Sequence, residues 1–411
     1  MPGQTTEAGP DRGAVQIRLP GRDEPLVVSE PGWAASYLPP ARRRVLAAAH
    51  VAARPAAGAL AGTGARGGTG ASARDGGVEI DWDSTMGFRD HLWAHGFGVA
   101  EAMDTSQRGM GLSWEQAKEL IARSAARAAE HRAAGSAAAL ACGAGTDQLA
   151  DGESHRLTAI TGAYAEQLTF VQSAGAQVIL MASRALAASA RGPRDYLQVY
   201  GELLKQASQP VILHWLGEAF DPALRGYWGG TDFDTACDTV LELVDRYGDQ
   251  VDGVKLSVLD AGREVALRRR LPAGVRMYTG DDFGYSELIR GDEQGHSDAL
   301  LGAFAAITAP AAAALAALDR GDLAGYDAAI LPTVPLSRLI FSPPTYYYKV
   351  GVAFLAWLNG FQPRFAMLGG LERHRPGRHL LRVFELAAAA GALTDPELAV
   401  ERMNSLLARL A

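Results

Sequence analysis

A lysine lies inside the apolar segment DGVKLS, residues 252–257. Removing an ammonium group from water is costly, so lysines are rarely found in a protein interior. Inside a barrel, Lys255 would have a lowered pKa and could act as an amine nucleophile, forming a Schiff base with a carbonyl substrate. The same pattern fits a lysine that pairs with a carboxylate at the end of a strand, and the residues by themselves leave both interpretations open.

A histidine lies near the end of the preceding apolar segment, PVILHW, residues 210–215. His214 would stand at the carboxyl end of its strand, where the chemistry of (β/α)₈ barrels is located. An imidazole there can serve as a general acid or base or as a metal ligand. A hydrogen-bonded core histidine is the structural alternative, but the neighbouring strand of Lys255 favours a functional role.

Two turns carry further polar groups. In MDTSQRG, residues 103–109, the side chains of Asp104, Thr105 and Ser106 precede a helix, an arrangement that suits a carboxylate or phosphate. A simple helix-capping turn explains the same residues.

The second turn is MYTGDDFGY, residues 277–285. Gly280 would allow a close approach of the backbone, and Asp281 and Asp282 would supply charge at the end of the seventh strand. We therefore predict substrate-binding roles for these three residues, with a solvated turn as the alternative.

The elements that must position these groups follow a regular alternation. Short apolar runs alternate with amphipathic segments of helical period, which is typical of a parallel sheet covered by helices on both faces. Eight such units predict a closed (β/α)₈ TIM barrel, with a doubly wound open sheet as the competing architecture. The predicted strands are residues 45–50, 97–103, 137–142, 177–182, 210–215, 252–257, 275–279 and 298–302.

Additions flank the barrel on both sides. Residues 15–28 predict an N-terminal β-hairpin cap, and the chain after about 303 predicts a C-terminal helical extension. We expect three parts: a tail with the hairpin cap (1–40), the barrel (41–325) and the extension (326–411).

The glycine-rich segment 56–77 is predicted to be a mobile loop. It contains GTGARG, but no strand and helix frame this motif, so no dinucleotide is expected there.

Composition excludes several classes of protein. The net charge of −7 argues against a nucleic-acid partner, and no apolar stretch is long enough for a membrane span. Two cysteines exclude a disulfide framework and indicate a reducing compartment. With no signal-peptide pattern at the N-terminus, we expect a cytoplasmic protein.

The order of these motifs resembles the dihydrodipicolinate synthase / N-acetylneuraminate lyase superfamily of class I aldolases, over about residues 45–375. The resemblance implies that Lys255 forms the imine, that Thr105 and Ser106 hold a 2-oxo acid, and that TGDD (279–282) is the turn after strand seven. It further implies a homodimer or homotetramer that needs no cofactor beyond the lysine imine.

This chain departs from the family pattern at three positions, one of which is the acidic residue that closes the family's carboxylate-binding turn and is absent here. His214 stands where the family has a proton-relaying tyrosine, and Asp104 replaces the glycine that opens the carboxylate-binding turn. Asp104 would repel a substrate carboxylate but could bind a sugar hydroxyl. We identify a divergent subfamily of unassigned function.

Two alternatives to a Schiff-base lyase remain open on sequence alone. One is a divalent-metal sugar isomerase or epimerase, and the other is a non-catalytic barrel that binds a sugar acid. The candidate metal ligands in the first alternative are His50, Glu101, Asp147, His214 and Asp281.

Overall fold

Eight parallel strands close into a barrel, as the sequence predicts. The computed structural model describes residues 13–56, 77–103, 108–150, 152–230 and 232–410. The pairing of Ala299 with Val45 joins the last strand to the first, so the competing open sheet is wrong. The barrel strands are β3 (Val45–Ala48), β6 (Gly98–Glu101), β7 (Leu140–Ala144), β8 (Gln177–Leu180), β9 (Val211–Leu216), β10 (Val251–Ser257), β11 (Arg276–Thr279) and β12 (Asp298–Leu301).

Helices connect the barrel strands and cover their outer faces. The start of α2 (Trp114–Ala133) is specified locally by a capping box, in which the Ser113 hydroxyl accepts from the backbone N–H of Gln116 and the Gln116 side chain accepts from the backbone N–H of Ser113. These helices are α1 (Trp82–Ala94), α2 (Trp114–Ala133), α3 (Leu157–Ser173), α4 (Arg184–Ser189), α5 (Pro193–Leu204), α6 (Phe233–Tyr247), α7 (Ala261–Arg268) and α8 (Tyr285–Arg290).

The predicted N-terminal hairpin is present. Strands β1 (Val15–Ile17) and β2 (Leu26–Val28) pair antiparallel, and the buried side chains of Ile17 and Val28 join the main core. The indole of Trp33 donates to the carbonyl of Gly391, which ties the segment after the hairpin to the C-terminal helices. A second, unpredicted hairpin is formed by β4 (Ala53–Pro55) and β5 (Val78–Ile80).

The C-terminal extension is helical, as expected. Helix α12 (Lys349–Leu358) is buried along its whole length, because its sequence is apolar on every side. Its first residue, Lys349, is the one side chain of this helix that can carry a charge, and it too is buried in the interior. The helices of this part are α9 (Thr308–Asp319), α10 (Leu323–Ile330), α11 (Thr333–Ile340), α12 (Lys349–Leu358), α13 (Gly377–Ala389) and α14 (Pro396–Leu410).

The division into parts 1–40, 41–325 and 326–411 stays a prediction. Most of the glycine-rich segment (57–76) and the turn residues Asp104, Thr105 and Ser106 lie outside the described residues.

No helix in the described ranges combines the length and apolar character that crossing a bilayer requires.

Candidate active site

Lys255 lies inside the barrel towards the carboxyl end of β10. It pairs in register with Tyr278 of the next strand, which belongs to the cluster of side chains that fills the barrel interior. Residues directly opposite each other on parallel strands point to the same face, so the lysine side chain also enters the barrel. Only 7% of Lys255 is exposed. The structure thus places the lysine at the end of the barrel where the sequence predicts it.

His214 stands directly beside Lys255. The two residues are register partners on β9 and β10, and His214 is fully buried. The imidazole Nε2 lies 3.1 Å from the hydroxyl of Ser257, which follows Lys255 by two residues on the same face of the strand. Lys255, His214 and Ser257 therefore form one contiguous polar group. Sequence reasoning did not single out Ser257, although its spacing from Lys255 places it on the lysine's face.

Gly280, directly after strand seven, lies close to the lysine. A Cβ atom at this position would lie 2.8 Å from the carbonyl oxygen of Leu256 and 2.9 Å from Cε of Lys255. Only glycine fits at such distances. The backbone at Gly280 therefore lies close to Lys255 and to the strand that carries it, as predicted.

The two aspartates that follow Gly280 do different things. Asp281 accepts hydrogen bonds from the backbone N–H groups of Phe283 at 2.8 Å and Gly284 at 3.0 Å, so its carboxylate closes a turn. Burial raises its pKa. Asp282 instead accepts from the N–H of Ala303, after β12, at 2.8 Å. Both aspartates are buried, because the C-terminal helices cover this turn. The alternative prediction of a solvated turn is therefore wrong.

Asp282 belongs to the electrostatic environment of Lys255. Burial raises its pKa to about 7, while the Ala303 N–H and the charge of Lys255 act in the opposite direction. A carboxyl group in this condition can exchange a proton near neutral pH. Its position makes it the member of the TGDD turn best placed to influence the lysine.

A second buried lysine, Lys349, completes the same region. Its Nζ donates to the carbonyl of Ala48, at the end of the first barrel strand, and the residue is 2% exposed. Burial lowers the pKa of Lys349 to about 7, and Arg89 and Lys255 add to this effect while Glu101 and Asp282 oppose it. Sequence reasoning missed this residue. The available signal was a lysine placed immediately before the apolar run VGVAFLAWL.

An arginine–glutamate pair lies next to Lys349. The guanidinium of Arg89 holds both carboxylate oxygens of Glu101 at 2.8 Å, and Ser124 donates to the same carboxylate at 2.6 Å. Both charged side chains are fully buried. This carboxylate is therefore occupied by a bidentate ion pair.

The five candidate metal ligands do not come together. Glu101 is bound by Arg89, Asp147 by Arg108, and Asp281 by two backbone N–H groups. His50 contacts Gln362 at 2.8 Å, and His214 contacts Ser257. In the part of the chain that the structure describes, no three or more His, Cys, Asp or Glu residues are grouped as a metal site requires. The proposed metal-ligand set is wrong because each member has a different protein partner.

A small cavity of about 100 Å³ opens above the ends of β7, β8 and β9. Two of its lining residues, Thr146 and Ser183, place their hydroxyl groups 2.6 Å apart. The buried guanidinium of Arg108 is held by Asp147 and by the carbonyls of Ala102 and Gly143. This side of the barrel mouth therefore presents hydroxyl groups on a rigid frame.

The comparisons with known proteins agree with this architecture. A family model described as "Protein of unknown function (DUF993)" matches residues 18–410. No curated protein sequence matches the chain. Dihydrodipicolinate synthases are among the solved structures that resemble it. That from Thermotoga maritima is 14% identical, with a TM-score of 0.59 over 86% of this chain and 99% of the other. The Bacillus anthracis structure is 13% identical, with a TM-score of 0.59 over 84% and 97%, respectively. At these identities the likeness establishes the fold.

Proposed function

We propose that the chain, which belongs to the DUF993 family, is a Schiff-base-forming lyase, an aldolase or hydro-lyase, that acts on a 2-oxo acid or a sugar-derived carbonyl compound. The observation that supports this proposal is the burial of Lys255 inside the barrel, with His214 and Ser257 beside it. The dihydrodipicolinate synthase fold of its structural neighbours is consistent with such chemistry.

In the proposed reaction the neutral amine of Lys255 attacks the substrate carbonyl carbon. Proton transfer from nitrogen to oxygen gives a neutral carbinolamine, and a proton donated to its hydroxyl group lets water leave, which gives a protonated imine. The positive nitrogen then accepts the electron pair released when a C–C bond breaks or when a proton leaves the carbon next to the imine. In the hydro-lyase version, a hydroxyl group leaves as water from the next carbon. In either version the electron pair leaves an enamine, which returns to an imine by taking up a proton on carbon after C–C cleavage or by expelling the protonated hydroxyl group. Hydrolysis of that imine releases the product and returns the free lysine.

Proton transfer in this scheme is the role of His214. The imidazole adjoins the lysine by strand register, and its Nε2 contacts the Ser257 hydroxyl, which can pass a proton between the ring and the substrate. A positioned general acid or base of this kind contributes about 10²–10⁴-fold to the rate.

Substrate positioning is assigned to the barrel mouth around the lysine. We retain Asp104, Thr105 and Ser106 as candidates for binding the substrate's polar groups, since they follow the second barrel strand. The Gly280–Asp282 turn borders the lysine on the other side. The hydroxyl groups of Thr146 and Ser183 suit a hydroxylated substrate tail. We further propose a homo-oligomer that requires no cofactor.

Covalent trapping tests this function. The protein is incubated with a panel of 2-oxo acids and sugar-derived aldehydes together with sodium borohydride, which reduces the imine to a stable secondary amine. We expect one adduct, on the peptide that contains DGVKLS. Lys255→Arg should abolish it, because guanidinium stays protonated and is not a nucleophile. The matched control, Lys118→Arg on the surface, should trap normally.

Two outcomes would contradict the proposal. One is an adduct that forms at full yield in Lys255→Arg and forms equally well with every carbonyl compound of the panel. The other is turnover of a panel compound that Lys255→Ala leaves intact. Loss of that turnover on chelation, with recovery on adding a divalent cation, would favour metal-dependent chemistry instead.

A further inference from the structure

A second, larger cavity of about 760 Å³ lies between the hairpin β4–β5 and the C-terminal helices α12, α13 and α14. Pockets that hold small molecules have volumes of about 300–1,000 Å³. Five arginines and two glutamates line this cavity, which leaves an excess of three positive charges in a chain whose net charge is −7. The arginines are Arg364, Arg373, Arg375, Arg402 and Arg409.

Arg375 is the buried member of this set, with 7% of the residue exposed. Its guanidinium donates to the backbone carbonyls of Ser342 at 2.6 Å, Pro344 at 3.1 Å and Pro343 at 3.2 Å. In the described part of the chain its Nε has no hydrogen-bond partner. Neutral carbonyls orient a guanidinium but leave its charge uncompensated. Burial lowers the pKa of Arg375, an effect that a bound anion would oppose.

The other two buried arginines of the described residues are built differently. Arg89 and Arg108 each make a two-point contact with a carboxylate, Glu101 and Asp147 respectively. The fold therefore supplies its own counter-charge to the buried guanidinium groups of the barrel. Arg375 receives carbonyl groups in place of a carboxylate, so an external anion would complete its environment.

Two further arginines of the cavity lie on one tryptophan. The guanidinium carbons of Arg402 and Arg409 are 5.7 and 5.9 Å from the centre of the Trp357 ring. The two arginines are about two turns apart on α14 and so share one face of the helix. Arg402 donates to the carbonyl of Gln362 at 2.9 Å and Arg409 to the hydroxyl of Ser405 at 3.2 Å. Neutral groups thus hold two like charges close together at the cavity wall.

The glutamates offset only part of this charge. Glu372 accepts from the backbone N–H of Met367 at 3.0 Å and lies 3.5 Å from Arg373. Glu401 is exposed on α14. The carboxylates therefore reduce the positive potential of the cavity without cancelling it.

The start of helix α13 adds backbone donors to the same wall. Gly377, its first residue, lines the cavity, no side chain caps this end, and the first turn contains no acidic residue. The N–H groups of His379 and Leu380 reach back to the carbonyl of Pro376, so those of the preceding two residues come before the first helical hydrogen bond. The positive end of a helix dipole therefore reinforces the arginines.

We propose that this cavity is a binding site for a phosphorylated small molecule that carries more than one negative charge. Guanidinium groups bind phosphate oxygens through paired hydrogen bonds, and a helix N-terminus favours phosphate for the same reason. The buried side chains of Leu380 and Leu406 line the cavity as well and offer an apolar surface to an organic part of the ligand. The site is separate from the residues around Lys255, so the proposal does not depend on the lyase reaction.

Isothermal titration calorimetry with inorganic pyrophosphate tests this site. We expect the wild type to bind pyrophosphate more tightly than inorganic phosphate, because a second phosphate group meets further arginines. Arg364→Gln/Arg409→Gln, which changes two exposed side chains, should weaken pyrophosphate binding about tenfold or more. Glu401→Gln removes a negative charge and should tighten it. The matched control, Arg123→Gln on the surface of α2, should bind as the wild type does.

Adenosine diphosphate serves as a second probe, which distinguishes two sources of the same phosphate chemistry. Tighter binding of adenosine diphosphate than of pyrophosphate would assign the site to an organic phosphate, since the apolar wall then contributes. Equal affinities would assign it to an inorganic polyphosphate. Thermal unfolding of each variant without ligand verifies that the fold is intact, and pyrophosphate should raise the midpoint of the wild type.

Three results would overturn the proposal. The first is the absence of any binding heat with pyrophosphate at millimolar concentrations. The second is unchanged affinity in folded Arg364→Gln/Arg409→Gln. The third is an equal loss of affinity in Arg123→Gln, because binding would then follow the net charge of the protein instead of this cavity. Covalent trapping on Lys255 is measured separately, so either proposal can fail while the other stands.

Discussion

Two buried groups of charges lie side by side in the barrel, and they are built differently. The arginine cluster consists of Arg89, Glu101 and Ser124, in which every carboxylate oxygen is bound by a fixed donor. The lysine cluster consists of Lys255, Lys349 and Asp282, and here burial brings the pKa of Asp282 and that of Lys349 to about 7. A bidentate arginine pair keeps its charges at any moderate pH, whereas buried amines and carboxyls can exchange protons. The first arrangement suits a scaffold and the second suits chemistry.

A change beside the lysine cluster should give the largest effect on activity. We expect His214→Gln, which can still contact Ser257, to slow turnover by about 10²–10⁴-fold because the amide does not accept and release protons. Its thermal unfolding midpoint should stay close to that of the wild type. Turnover is measured with whichever carbonyl compound is trapped. Activity within a few-fold of wild type would remove His214 from the mechanism.

A change in the arginine cluster should instead affect stability. Arg89→Met leaves the carboxylate of Glu101 buried without its partner, and we expect a loss of about 3–5 kcal/mol in the free energy of unfolding. Chemical denaturation measures this loss. The double variant Arg89→Met/Glu101→Leu should recover most of it, since both charges are then absent. A double variant as unstable as the single one would show that packing, and not charge pairing, governs this cluster.

Glu264 provides an intermediate case, a buried glutamate without a bidentate arginine. Ser297 donates to its carboxylate at 2.7 Å, and burial raises its pKa to about 8. The neutral form is therefore favoured in the folded state, so the stability that this group contributes is complete below about pH 4.5 and is lost as pH rises through 8. By linkage, unfolding should become easier by about 3 kcal/mol between pH 6 and 9.

The control for this prediction is Glu264→Gln, which removes the ionisable group and should flatten the pH dependence over the same interval. Denaturation at pH 6 and at pH 9 gives the comparison. If the wild type and Glu264→Gln lose equal stability between these values, another group is responsible.

The smallest effect is expected for a partly exposed lysine on a helix surface. Lys118 pairs with Glu115 on the surface of α2, and its side chain is 30% exposed while that of Glu115 is 78% exposed. Lys118→Met should change the free energy of unfolding by about 0–1 kcal/mol and leave trapping on Lys255 intact. A large effect on either would mean that burial is not what distinguishes the lysine cluster.

The strands could be predicted closely because their signal is local. Buried parallel strands require continuous apolar runs, and each of the eight predicted runs overlaps a barrel strand. It could also be predicted that Lys255 and His214 are neighbours, since consecutive strands of a singly wound barrel are adjacent. The different roles of Asp281 and Asp282 did not follow, because adjacent residues in a turn point to different partners.

Apolar periodicity and chain order specify the barrel, the terminal additions and the strand positions of Lys255 and His214, so these features could be predicted without the structure. Which charged side chains contact each other depends on the packing of the folded chain. Lys349 reaches the end of the first barrel strand from a C-terminal helix, and the candidate metal ligands each find a separate partner. Such contacts depend on how distant segments pack, and a long-range contact leaves no periodic pattern in the chain. Burial then gives these groups their chemical character, since the loss of water lowers the pKa of Lys349 and raises that of Asp282.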